Sequence, residues 1–397
     1  MFKKIRECDV KNKKVFTRAD MNVSIKNNKI IDDTRIRAAL PTIEFLTKNG
    51  AKVILASHLG KADGKGFQKE FSLKIVLERL RELLPNVKFN YVDDCIGDKV
   101  KRAIEETNFG EVILLENLRF HEGEEANSSE FAKSLAELAD IYVNDAFSTC
   151  HRKHASMVGM PALMDSYAGF NLEYELENLT NLVSKPQKPV MVIVGGSKIS
   201  TKLELLNALI PKTDYVAVGG GMANTFLSAM GFNVGKSLRE DELKSQTLEL
   251  LETAKKYGCE IILPIDAVTA KNVGENQPVR TVKINDICAD DIIVDMGMDS
   301  IKNIREKLKQ CKVVIWNGPV GIYEIRPFNQ GTEELARVIA ILTKNKKIKS
   351  VAGGGDILAA LNSAKVSENF TYLSTAGGAF LKWLEKGSLP AVEKLKK

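Results

Sequence analysis

Ser350–Leu361 reads SVAGGGDILAAL, and the layout of these residues decides the fold. Apolar and β-branched residues lead into it as the end of a buried strand, ILAAL begins a helix, and Gly353, Gly354, Gly355 and Asp356 fill the turn between them. Glycines let the backbone turn sharply and let a ligand come close. The first amides of the helix have no intrahelical partners and, with the positive end of the helix dipole, suit a phosphate. A strand-to-helix turn without a ligand meets the same pattern. A second copy at Ser374–Leu384, STAGGAFLKWL, shifts the balance. Two such turns on neighbouring strands aim two helix N-termini at one place, which suits a group carrying several negative charges.

Working outward, short β-rich runs alternate with helical runs along the chain. In the first half the predicted strands are Lys14–Thr17, Ala51–Ser57, Val87–Val92, Glu111–Leu115 and Ile141–Asn144. In the second they are Val190–Val194, Tyr215–Val218, Glu260–Leu263, Val313–Trp316, Lys349–Ala352 and Thr371–Ser374. Strands separated by helical patterns of this length argue for βαβ units and a parallel sheet. Between the two sets lies a long helical pattern, Gly169–Val183, closed by the two prolines of KPQKP. The predicted class is therefore α/β, with two doubly wound parallel-sheet lobes joined by a helix. The lobes run over 1–170 and 190–375, with 171–189 as the connecting helix and linker. Val279–Asp299, rich in polar and β-branched residues, suggests an antiparallel excursion.

The 397 residues carry a net charge of +6, too modest and too dispersed to imply nucleic acid but compatible with small anionic ligands. No apolar run is long enough to span a membrane, and MFKKIRECDV offers no apolar core for a signal peptide. The six cysteines form no C-x-x-C pair and read as reduced thiols of a cytoplasmic protein.

In parallel α/β sheets ligands bind at the carboxyl ends of the strands. In the first half the residues there are Arg18, Asp20, Asn22, His58, Arg119 and the run from Asp145, with Arg35 opening the next helix. Any one arginine can be a surface ion pair, but several cationic positions at strand ends suit phosphate and carboxylate oxygens. In the second half the same positions are small: Gly195–Lys198, Gly219–Gly221, Asn317–Gly321 and the two turns above. The first lobe reads as an anion lobe and the second as a nucleotide lobe. Lys198 and Lys202, four apart, are placed on one face of a helix starting near Ser200. GFNVGKS (231–237) is one residue short of a P-loop and follows a helical pattern, so it is set aside. His151, His154 and His121 lack partners at zinc-binding spacing.

Together these residues resemble the phosphoglycerate kinase family. RADMNV, DDTRIRAALPTI, SHLG, LLENLRF, NDAFSTCHRKHAS, VGGSKISTKLELL, GGGMANTF, WNGPVGIYE, AGGGD and STAGGAF stand in the family's order along essentially the whole chain. The resemblance implies reversible phosphoryl transfer between 1,3-bisphosphoglycerate and ADP, giving 3-phosphoglycerate and ATP, by a cytoplasmic Mg²⁺-dependent monomer of glycolysis. It implies phosphoglycerate binding by Asp20, Asn22, Arg35, His58, Lys61, Arg119 and Arg152. It implies nucleotide binding by Gly196, Lys202, Gly220, Asn317, Glu324, Gly354, Gly355, Asp356 and Ile357, with Asp356 holding the metal. It also implies that the tail, 376–397, packs back on the first lobe. Three positions depart from the family pattern: Lys61 replaces arginine, Ile357 replaces threonine and Ser24 replaces proline.

Phosphoryl transfer needs in-line positioning and neutralised charge more than covalent chemistry. Arg35 and Lys198 are the cations expected at the moving group. No general base is needed, because the acceptor is a carboxylate. A nicotinamide-dependent dehydrogenase would require a G-x-G-x-x-G turn after a strand, and none occurs. A non-catalytic anion or nucleic-acid binder would require a basic stripe.

Overall fold

The computed structural model describes residues 2–396; the terminal Met1 and Lys397, which fall in the predicted first lobe and tail, lie outside them. Two compact units divide the chain, one formed by 1–177 with 388–397 and the other by 178–387.

The first unit is built on six parallel strands: β1 (Lys14–Ala19), β2 (Lys52–Ala56), β3 (Phe89–Tyr91), β4 (Val112–Leu114), β5 (Ile141–Asp145) and β6 (Ser166–Ala168). Their spatial order is β3-β4-β2-β1-β5-β6. The central strands are buried along their whole length, as continuous apolar runs such as KVILA require when helices cover both faces. Ile36, Ile43 and Leu46 of the helix Thr34–Lys48 close one face against Val53, Leu55, Val112 and Leu114. β6 was not expected, because a three-residue strand inside MDSYAGF carries no periodicity to read.

The second unit repeats the plan with β7 (Val190–Val194), β8 (Tyr215–Val218), β9 (Glu260–Ile262), β10 (Val313–Asn317), β11 (Lys349–Gly353) and β12 (Tyr372–Ser374), all parallel. The order is β9-β8-β7-β10-β11-β12, so the connections reverse direction between β7 and β10. That reversal opens a crevice at the carboxyl ends of these two strands. A three-stranded antiparallel sheet, Asp266–Ala270, Arg280–Lys283 and Ile292–Met296, interrupts the alternation. It begins earlier than the predicted excursion.

The larger differences from the sequence reading lie in the connecting helix, the loop after β7 and the tail. The connecting helix is α-helical only over Phe170–Leu179 and continues as a wider π-helical turn, Thr180–Ser184. The helix expected near Ser200 begins at Leu203, so Lys198 and Lys202 precede it and share no helix face. The tail of the first unit starts at Ser388, not at 376. The helix Gly377–Lys386 stays with the second unit because it buries Phe380, Trp383 and Leu384, and Trp383 donates its indole N–H to Ser184. Gly387, left-handed at φ +70°, ends that helix and redirects the chain.

Candidate active site

In the first unit the residues at the carboxyl ends of β1, β2 and β5 converge. Arg18 is fully buried and forms the hub, donating from Nε to Ser156 Oγ at 3.1 Å and from Nη2 to His58 Nδ1 at 3.1 Å. Ser156 in turn donates to Glu124, a buried carboxylate, at 2.6 Å. Arg119 rides on a single 3₁₀ turn, Leu118–Phe120, capped by the Asn117 side chain, which accepts the Arg119 amide at 3.0 Å. Its Nη1 donates to the Gly60 carbonyl at 2.7 Å and its Nε lies 3.0 Å from Glu125. Its Nη2 is buried with no hydrogen-bond partner. A buried charged donor left unpaired is costly, and an anionic ligand is the natural group to complete it.

The neighbouring groups carry the same message. Burial, followed by the charges of Arg18, Arg119 and Arg152, holds His58 well below its ordinary pKa. Burial and the same three arginines, Arg119 first, bring His154 down to about 3. Both imidazoles are therefore neutral at pH 7 beside three guanidinium groups. Asp20 pairs with Arg35 at 3.0 Å, and Asn22 Oδ1 accepts the Gly60 amide at 2.8 Å. Arg119 bonds the same residue through its carbonyl, so Gly60 joins the Asn22 and Arg119 branches. Arg152 and Lys61 are exposed. Sequence reasoning named Arg18 but gave it no role, weighed His154 only as a zinc ligand, and passed over Glu124 and Glu125. Nothing in the sequence signals that the turn after β5 folds Ser156 back onto Arg18.

In the second unit three loops meet backbone to backbone. A Cβ on Gly195 would lie 1.9 Å from the Pro319 carbonyl oxygen, one on Gly221 2.3 Å from that of Ser197, and one on Gly318 2.3 Å from that of Gly195. These glycines serve loop-to-loop contact. Gly355 is different, since a Cβ there would meet nothing within 4 Å. Beside it lies a cleft of about 440 Å³ lined by Gly196, Gly220, Leu238, Tyr323, Glu324 and Asp356 among others. Asn317 ties the floor together, donating to the Gly353 carbonyl and accepting from Lys202 Nζ. Burial lowers the Lys202 pKa, against the pull of Glu385 and Asp356. Lys198 is exposed in the loop after β7.

Gly354, at φ +116°, caps the helix Gly355–Ser363, with Asp356 exposed in its first turn. Ile357, expected to contact nucleotide, is instead fully buried among Trp316, Leu335, Ile339 and Leu361. On a helix the next side chain after Asp356 turns about 100° away, here into the core. Asp295, unanticipated, lines the cleft, accepts the Gly331 amide at 2.6 Å and is pushed by burial to a pKa of about 7.

A buried, electropositive anion cluster at one doubly wound sheet and a glycine-floored cleft with helix N-termini at another define a two-unit α/β phosphotransferase. The comparisons narrow this class. The phosphoglycerate kinase family model matches residues 5–387. The phosphoglycerate kinases of Xanthobacter flavus and Brucella abortus are each 46% identical to this chain, covering 98% and 100% of it and 97% and 100% of their own lengths. The structure of phosphoglycerate kinase from Coxiella burnetii superposes with a TM-score of 0.91 at 39% identity, over 100% of this chain and 98% of that one. The enzyme from Pyrococcus horikoshii gives 0.80 at 30% identity, with the same coverage. The chain belongs to the phosphoglycerate kinase family. Its reaction is the reversible phosphoryl transfer of glycolysis.

Proposed function

We propose that the first unit binds 3-phosphoglycerate or 1,3-bisphosphoglycerate and the second binds ATP or ADP. The observation that carries the first assignment is the buried, unpartnered Arg119 Nη2 amid Arg18, His58 and His154. Arg119 and Arg152 neutralise the ligand's charge, while Asp20 orients Arg35. Asn22 holds the Gly60 loop, and Lys61 adds a point charge where a planar guanidinium would reach two oxygens. On the second unit, Gly196, Gly220, Gly354 and Gly355 shape the phosphate cradle, Asn317 and Lys202 support it, and Glu324 faces the nucleotide. Asp356 suits Mg²⁺, because it is an exposed carboxylate at the open helix turn and Mg²⁺ takes few carboxylates while keeping waters. The metal, when bound, neutralises phosphate charge. Lys198 and Arg35 supply the cations for the transferring phosphoryl group. The enzyme acts as a cytoplasmic monomer without nucleic-acid or membrane partners; among the described residues no helix is long and apolar enough to cross a membrane.

Steady-state kinetics of Arg119→Ala tests the reading. A hydrogen bond to a charged group is worth about 1.5–3 kcal/mol, so KM for 3-phosphoglycerate should rise by about 10- to 150-fold. KM for ATP should stay within about twofold. Equal rises in both would remove Arg119 from the phosphoglycerate site.

A further inference from the structure

Asp94, Cys95 and His121 come together on the first unit, on two loops that follow β3 and β4. One ligand atom from each lies within 4.8 Å of the others. None of the three belongs to the network around Arg18 and Arg119. His121 Nε2 is 2.8 Å from Asp94 Oδ1, and the Cys95 thiol donates to the Glu116 carbonyl at 3.0 Å. The ring of His121 stacks on Phe131 at 5.0 Å between centroids, which fixes the imidazole plane. Asp94 also accepts the Cys95 amide at 2.7 Å, which fixes the carboxylate. Cys95 is buried while Asp94 and His121 are half-exposed, so the set is closed behind the sulfur and open to water in front.

We propose that Asp94, Cys95 and His121 form a site for a soft divalent cation of the Zn²⁺ or Co²⁺ type. Thiolate, imidazole and one carboxylate is a donor set for these ions and not for Mg²⁺. Bond lengths of about 2.0–2.3 Å in a tetrahedron put ligand atoms about 3.3–3.8 Å apart, so the three groups, within 4.8 Å of one another, need shifts of about an ångström to close on an ion. The open front admits water as the fourth ligand. Binding breaks the Cys95 S–H bond, forms a sulfur–metal bond and releases the proton to solvent, with no change of oxidation state. The carboxylates of Asp94, Glu116 and Glu124 lie near the sulfur. The same carboxylates attract a dication, which deprotonates a coordinating thiol outright. The Glu116 carboxylate itself is not free to ligate. It accepts bonds from Ser72, Tyr91 and the amides of Leu73 and Asn117 at 2.6–2.8 Å. A cation here would tie the loop after β3 to the turn that carries Arg119, two residues before His121.

Cobalt titration of the full chain tests the site. One equivalent of Co²⁺ should produce a thiolate-to-cobalt charge-transfer band in the near ultraviolet. One equivalent of Zn²⁺ should abolish it, and either ion added alone to the metal-free protein should release about one proton in weakly buffered solution. Cys95→Ser should lose the band, His121→Gln should weaken cobalt binding at least tenfold, and Cys288→Ser, which removes the exposed thiol, should change neither. Circular dichroism and the thermal midpoint establish that each variant is folded; should Cys95→Ser fail to fold, His121→Gln decides alone. Absence of the band at stoichiometric cobalt, or its persistence in Cys95→Ser or at full affinity in His121→Gln, overturns the proposal.

Discussion

Lys198 is exposed in the loop after β7, where Thr201 Oγ1 donates to its carbonyl at 2.8 Å and its charge acts on the nearby Glu240 carboxylate. The role proposed for Lys198 is to act where charge develops more than where nucleotide rests. Lys198→Ala should therefore lower kcat by about 10²–10³-fold with nucleotide affinity within a few-fold, read by steady-state assay and equilibrium titration. A kcat near wild type would take Lys198 out of the chemistry. His154 makes a second residue-scale prediction. Its folded pKa is about 3 against an ordinary 6.5, so between those values the unfolded chain binds a proton that the folded chain refuses. Stability is full above pH 6.5 and falls as the pH drops toward 3. Urea midpoints at pH 7.5 and pH 5 should differ less in His154→Gln than in wild type; identical losses would show that His154 does not carry the effect. At this scale sequence reasoning found the charged residues, because arginines after strands stand out. It missed the partners that orient them, since Ser156 and Glu124 become neighbours of Arg18 only through tertiary folding.

The elements were legible where periodicity is strong and blurred where a backbone device ends them. Val190–Val194 and Tyr215–Val218 were read to the residue because buried parallel strands are unbroken apolar runs. The short β6 and the π-helical turn Thr180–Ser184 left no such signature. The glycine turns were found, but their division of labour was not, because a sequence does not show what a missing Cβ would touch. That division is testable. Gly195→Ala drives a Cβ into the Pro319 carbonyl, a backbone atom that cannot swing aside. It should cost at least about 1–3 kcal/mol, measured as a lowered urea midpoint at unchanged m-value. Gly355→Ala meets open space, so its stability should match wild type while nucleotide binding weakens severalfold. The reverse pattern would assign Gly355 to packing and Gly195 to the ligand.

At the scale of the whole molecule, the restart of βα alternation after Pro189 announced a separate core for each lobe, and each unit has its own, with a cluster around Val53 and Leu55 in the first and one around Ile193 and Trp316 in the second. The family resemblance implied a tail on the first unit from 376; the change falls at Ser388, because Trp383 packs inside the second unit. The central claim is that each unit serves one ligand: the buried anion cluster takes the phosphoglycerate, and the glycine-floored cleft takes the nucleotide. Calorimetric titration of 3-phosphoglycerate and of Mg–ATP into wild type, Arg119→Ala and Glu324→Ala tests it most directly. Arg119→Ala should weaken 3-phosphoglycerate at least about tenfold and leave Mg–ATP within about twofold, since the lost bond is charge-assisted and confined to one unit. Glu324→Ala should weaken Mg–ATP severalfold and leave 3-phosphoglycerate unchanged. Either variant weakening both ligands alike, or the two effects exchanged, would contradict the division.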